Sequence, residues 1–245
     1  MQTEQQSLRA AAGQRFWQID ALRGLALLNM LVYHAMYDWV YIFGHASGWY
    51  DIWSTHCHVW QQYICWSFIL LSGYSFTLSR RPLKNGLLTA ACAVVLTVAT
   101  AVAMPEEVIW FGVLHLLGIC MMLYPVYRRL PTPALAAIGI VLVVAGYLIA
   151  GTVVRAKFLF PLGLLYEGFT SSDYFPLLPH LGWYMLGTVL GRTVYADKKT
   201  RLPGAFRNSS VARFFCWCGR QSLFIYLLHQ PIVYGLLELI ASLKR

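Results

Sequence analysis

Three observations predict an all-α fold, a polytopic membrane helix bundle of about seven transmembrane helices with its N-terminus in the cytoplasm. Apolar residues make up 58% of the 245 positions and charged residues only 12%, against roughly 25% charged in an ordinary soluble domain. The apolar residues gather in stretches close to the ~20 needed to cross a bilayer. The basic residues fall almost entirely in alternate loops, which is the pattern that orients membrane helices.

The elements follow in order. Residues 1–15 (MQTEQQSLRAAAGQR) are polar and run directly into Asp20 and Arg23. They lack the short apolar core and small-residue cleavage site of a secretory leader. They read as a cytoplasmic tail, 1–15, ahead of a transmembrane domain, 16–245. Seven spans are expected at about 20–43, 59–78, 86–104, 108–127, 133–151, 174–194 and 221–242. Pro82, Pro105, Pro131 and Pro203 stand in the intervening loops, and Pro176 and Pro179 in the first turns of the sixth span, where a missing N–H is tolerated. Gly112 and Gly118, and Gly182, Gly187 and Gly191, would let helices approach closely. No internal repeat or low-complexity tract is evident.

Arg9, Arg15 and Arg23 precede or open the first span, and Arg80, Arg81 and Lys84 fill the second loop. Arg128 and Arg129 fill the fourth loop, and Arg192, Lys198, Lys199, Arg201, Arg207, Arg213 and Arg220 the sixth and its flanks. These 15 of the 19 basic residues share one side, leaving Arg155, Lys157, Lys244 and Arg245 on the other. The larger group is cytoplasmic by the positive-inside rule, so a seventh span ends outside. Topology and anionic headgroups account for the net charge of +9, and nucleic-acid binding is not expected. The expected location is the cell inner (plasma) membrane.

Six cysteines do not form a framework. Cys65, Cys92, Cys120 and Cys216 fall in or beside apolar segments, where cysteine acts as a small hydrophobe. Cys216 and Cys218 form an unaccompanied CxC, and His56 and His58 flank Cys57 on a loop; neither has the spacing of a metal site, and none is expected.

Ionisable side chains inside hydrocarbon are expensive and mark functional sites by default. His34 lies about 16 Å beyond Arg23 along the first helix, with Asp38 one turn further on the same side. His45 stands at the outer mouth, and His115 and His180 approach from the outer side. His229 falls about 12 Å into the last span, just before Pro231, which frees a backbone carbonyl. Such a break is tolerated where it is buried in protein or lines a cavity. Each residue also has a plain structural reading. His34 with Asp38 could pack helices through hydrogen bonds, and Asp20 with Arg23 could be an interfacial i,i+3 pair. Trp and Tyr near span ends read as an interfacial belt.

Six segments in order carry a resemblance: RFWQIDALRGLALLNMLVYH (15–34), GHASGWYDIW (44–53), SFILLSGYSF (67–76), FGVLHLLGI (111–119), SSDYFPLLPHLGWYMLGTVLGR (171–192) and GRQSLFIYLLHQP (219–231). Together they resemble the catalytic-domain family of heparan-α-glucosaminide N-acetyltransferase, within the transmembrane acyltransferases. The resemblance implies transfer of an acetyl group from acetyl-CoA to a sugar amine across the membrane. It implies a catalytic histidine in a His-Ala-Ser context, matched by His45 in Gly44-His45-Ala46-Ser47. The lysosomal member has a luminal domain and more spans, so the implied acceptor here is a cell-envelope glycan or amino sugar bearing an amine or hydroxyl.

The charge layout suits an acyl-CoA co-substrate. Arg23, Arg220 and Arg192 at the inner face would meet its phosphates, for which guanidinium is well shaped. His34, His115 and His229 would line the thioester path. His45 would deprotonate the acceptor or accept the acyl group, with Asp173 or Asp38 orienting its ring. The alternative is a proton-coupled transporter or flippase for an envelope precursor, using the intramembrane His and Asp as relay groups. A third reading is a component whose polar residues only pack helices. The Gly-rich faces would allow self-association into a homo-oligomer.

Overall fold

The computed structural model describes residues 16–79, 81–194 and 208–243. The expected tail at 1–15 and several loop cations, including Arg80, Lys198, Lys199, Arg201 and Arg207, lie outside the described residues. The fold is all-helical, and each expected span has a helix: α1 Trp17–Tyr37, α2 Thr55–Phe76, α3 Pro82–Ala103, α4 Val113–Tyr127, α5 Thr132–Ile149, α6 Leu177–Val194 and, after α7 Ser210–Arg220, α8 Ser222–Leu243. Among the described residues α3, α5 and α8 are long and apolar enough to cross a membrane.

Helix bounds depart from expectation where a side chain or a proline intervenes. α1 continues into a π-helical turn over Asp38–Ile42, in which the N–H of Phe43 reaches back to the carbonyl of Asp38. The fourth span becomes helical only at Val113, because a 3-10 turn at Pro105–Glu107 and extended backbone come first. The sixth span is helical from Leu177, with Leu178 extended ahead of Pro179, as a residue preceding proline prefers. α7 was not foreseen. Ser209 Oγ caps it by accepting from the N–H of Ala212 at 3.1 Å. The eleven residues of the helix are too few to read as a span.

The chain forms two compact units, residues 1–71 with 199–245 and residues 72–198, the boundary falling within α2. In the first unit α7 lies against the start of α1. A Cβ at Gly24 would strike the carbonyl of Phe215, and one at Gly219 the carbonyl of Asp20. Only glycine allows that approach, the small-residue logic of tight helix pairs. Ala212 and Cys216 pack on Trp17 behind it. Further along α1, Leu27, Met30 and Tyr33 form a core with Tyr50, Cys57 and Ile64.

In the second unit α3 pairs with α4 and α5 with α6. Gly118 abuts Ala90, Gly182 abuts Gly139 and Gly146 abuts Pro179. α4 is the most enclosed helix of this unit, with eight buried residues along its fifteen. Phe76, Tyr124, Tyr127 and Tyr184 form an aromatic cluster near its end. None of the six cysteines is in a disulfide, and Cys57, Cys120, Cys216 and Cys218 are buried as small groups.

Candidate functional site

In the first unit, one face of α1 meets α8 through polar side chains. His34 and Asp38, one turn apart, face His229 and Gln230, which are consecutive. His34 Nδ1 lies 2.8 Å from His229 Nε2, with the two rings stacked 5.0 Å apart. His229 Nδ1 is 2.5 Å from the carbonyl oxygen of Tyr226, to which it must donate. With both rings neutral, His229 Nε2 is then an acceptor, so the Nδ1–H of His34 is the donor. The network thereby assigns His34 its tautomer and leaves the lone pair on its Nε2, which has no hydrogen-bond partner among the described residues.

Asp38 is fully buried, and the Nε2 amide of Gln230 donates to both its carboxylate oxygens, at 2.8 and 3.0 Å. No cation pairs with Asp38 among the described residues. A buried carboxylate held by one amide keeps acceptor capacity in reserve. Gln230 was not singled out from the sequence; its signal is position, next to His229 and just before Pro231, opposite a His–Asp pair at i,i+4.

The π-helical turn that begins at Asp38 also sets His45. Gly44 takes a left-handed conformation (φ 69°), which costs a non-glycine residue about 1–2 kcal/mol. The chain reverses there, and the N–H of His45 donates to the carbonyl of Trp39 at 3.1 Å. The imidazole then stacks on the Trp39 ring, centroids 3.8 Å apart and 19° from parallel. Its Nδ1 is buried and has no hydrogen-bond partner among the described residues. Buried polar atoms are nearly always satisfied, so such an atom calls for an explanation. His45 shares this state with the Gln18 amide and the Tyr127 and Tyr184 hydroxyls, and differs from them in being an imidazole, the commonest proton carrier in catalysis.

The loop after His45 is held by side chains. Tyr41 Oη and the N–H of Trp53 both donate to Asp51 Oδ1, at 3.1 and 3.0 Å. His56 Nε2 donates to the carbonyl of Trp49 at 2.6 Å, which gives that histidine a structural task. Tyr50 Oη donates to the carbonyl of Tyr33 at 3.3 Å; burial pushes the phenol up, so it remains a donor.

The second unit holds His115 and Asp173 together. Asp173 Oδ2 accepts from the N–H of Val113 at 3.0 Å, capping α4 from a distant part of the chain. His115 Nδ1 accepts from the N–H of Gly112 at 3.2 Å, so its Nε2 carries the proton and meets Thr97 Oγ1 at 3.2 Å. Thr97 passes its own hydrogen to the carbonyl of Ile109 at 2.6 Å. Both ring nitrogens of His115 are therefore engaged at a helix start. His180 Nδ1 donates to the carbonyl of Pro176 at 2.8 Å.

The three candidate arginines differ. Arg23 Nη1 lies 3.7 Å from Asp20 Oδ1 and donates weakly, at 3.5 Å, to the carbonyl of Gly219. Arg220 is exposed. Arg192 donates from both Nη atoms, at 2.8 Å each, to the carbonyls of Leu130 and Arg128, closing the end of α4.

Long apolar helices with ionisable side chains lodged between them define a helical membrane protein. The family profile described as "Heparan-alpha-glucosaminide N-acetyltransferase, catalytic" matches residues 15–231, and the chain belongs to that family. It is thus a membrane acetyltransferase by family. No curated protein and no solved structure matches the chain.

Proposed function

We propose that the chain is a multi-pass, seven-span acyltransferase of the cell inner membrane, with its N-terminus in the cytoplasm. It moves an acetyl group from cytoplasmic acetyl-CoA to an amine or hydroxyl of a sugar or glycan on the outer side. The observation that carries this reading is His45, a half-buried imidazole whose Nδ1 is enclosed and has no hydrogen-bond partner among the described residues, in the Gly-His-Ala-Ser context of the family. α1, α2, α4 and α6 complete the count beside the three long apolar helices. α4 is apolar but only fifteen residues long, and polar side chains, of the kind a reaction site needs, lower the hydropathy of α1, α2 and α6.

In the reaction the acceptor's N–H or O–H bond and the thioester C–S bond break, and an amide or ester and a CoA thiol form. His45 takes the acceptor proton as general base and returns it to the departing sulfur, a role generally worth 10²–10⁴ in rate. Trp39 fixes the plane of the ring. His34 offers the lone pair of its Nε2, and His229 holds the tautomer that exposes it. Asp38, held by Gln230, supplies negative charge to the same seam. Arg23 and Arg220 would meet the CoA phosphates, for which guanidinium is well shaped. Arg192 shares that face in sequence, yet its fork already clamps two carbonyls. Asp173 and His115 hold the start of α4, and their part is to keep that helix end in place.

Purified protein in nanodiscs, given acetyl-CoA labelled in the acetyl group and a mixture of envelope glycans, tests the reading. Label should reach glycan with wild type and not with His45→Ala. Transfer by His45→Ala at the wild-type rate, or no transfer by either with correctly folded protein, overturns it.

A further inference from the structure

The outer loop between α5 and α6 is a folded element with its own aromatic interior. Val153 bridges to Leu165, with the N–H of Val154 on the carbonyl of Leu165 at 2.7 Å and the N–H of Leu165 on that of Thr152 at 3.1 Å. A 3-10 helix, Lys157–Leu162, ends at Gly163, whose φ of 108° suits glycine. Tyr174 Oη donates to the carbonyl of Phe160 at 2.6 Å, and Phe160 and Tyr166 both pack on Phe169, ring centroids 5.3 Å apart in each pair. The neighbouring α3–α4 segment is tied in, because the N–H of Trp110 donates to Ser171 Oγ at 3.1 Å and Ser171 Oγ donates to the carbonyl of Asp173 at 2.8 Å.

Between these pieces lies an open cavity of about 280 Å³ lined by Trp110, Lys157, Phe158, Phe160 and Tyr166. Four of its five lining residues are aromatic and the fifth is a cation, with Lys157 Nζ 5.4 Å from the centre of the Tyr166 ring. No carboxylate lines it. Trp110 is 48% and Phe158 77% exposed, so both side chains are accessible beside a hydrogen-bonded base. A fixed aromatic face receives the C–H face of a sugar ring, and a lone ammonium beside it selects one that carries negative charge. The volume is at the small end of ligand pockets, which suits one ring.

We propose that this pocket binds one anionic sugar residue of the acceptor glycan, stacked on Trp110 with its carboxylate or phosphate at Lys157. This rests on the acceptor being a glycan on the outer side. The site lies wholly within the second unit, whose histidines are engaged at helix starts, so it recognises substrate and does no chemistry.

Saturation-transfer NMR on the full chain in nanodiscs tests it, with glucuronate, glucose 6-phosphate, neutral glucose and CoA as separate probes. Saturation should reach ring C–H protons of one or both anionic sugars more strongly than those of glucose; the stronger of the two identifies carboxylate or phosphate as the anion. Trp110→Ala should raise Kd for that sugar about tenfold, as loss of a stacking face does. Lys157→Gln, an exposed change that leaves the fold intact, should reduce the anionic sugar to the level of glucose. Equal signals in wild type and both variants, absence of any sugar signal, or a Trp110-dependent signal from CoA alone would overturn the proposal. The readout needs no acetyl transfer. Sugar binding without transfer would sink the acetyl-transfer reading alone, and transfer without sugar binding would sink this proposal alone.

Discussion

His45 and His115 both sit where a helix meets a loop, yet their surroundings differ in kind. His115 has a hydrogen-bond partner on each ring nitrogen, the N–H of Gly112 on one side and Thr97 on the other. His45 has an aromatic ring against its face and a buried Nδ1 with no hydrogen-bond partner among the described residues. Other ionisable side chains differ in the same way. His34 and His229 bond to each other and leave the His34 Nε2 lone pair over, whereas His180 and Asp173 tie down backbone ends. An unmet hydrogen-bonding group costs stability. Among the described residues the Gln18 amide and the hydroxyls of Tyr127 and Tyr184 are also buried without a partner, and the His45 imidazole stands apart from them as the group that most often moves protons in catalysis.

The contrast can be broken or sharpened by substitution. His45→Ala should lower the rate of acetyl transfer by about 10²–10⁴-fold with the thermal midpoint in detergent unchanged. A comparable loss in His115→Ala at unchanged stability would erase the distinction. His229→Leu should cut kcat by about tenfold or more with little change in KM for acetyl-CoA, since it frees the tautomer of His34 without touching a substrate-binding group. Gln230→Leu should destabilise the fold by about 1–3 kcal/mol, because it leaves the Asp38 carboxylate buried without its donor; thermal unfolding of the variant against Asp38→Asn with Gln230→Leu separates charge from packing. Asp173→Ala should cost about 1 kcal/mol through loss of the α4 cap, with transfer per folded molecule intact. If transfer fell while the melting curve held, Asp173 would belong with the chemistry. Gly44→Ala, at a left-handed backbone position, should cost about 1 kcal/mol and show as a modest fall in transfer from a displaced His45.

Much of the fold was legible because hydrocarbon imposes so few solutions. Apolar runs broken by Pro82, Pro105 and Pro131 located α3, α4 and α5 to within a few residues. The start of α4 was misjudged by several residues because its cap, Asp173, comes from sixty positions away. α7 escaped because its pattern is short and amphipathic: Ala212, Cys216 and Gly219 face α1 while Val211, Phe214 and Trp217 stay exposed. Of the site, His34, Asp38 and His229 stood out as ionisable groups within apolar sequence, but Gln230 did not, since an amide next to a proline carries no such signal. Arg192 shows the converse, a cation conspicuous in sequence whose guanidinium closes a helix end.

By itself the sequence determined that the protein is helical, that its apolar segments have membrane length, and which family it joins, because hydropathy, proline placement and ordered motifs are local properties of the chain. Only the tertiary structure decided which histidine keeps a free nitrogen and which is fully bonded. A hydrogen bond's partners can lie 195 positions apart, as between His34 and His229, and no local pattern encodes them.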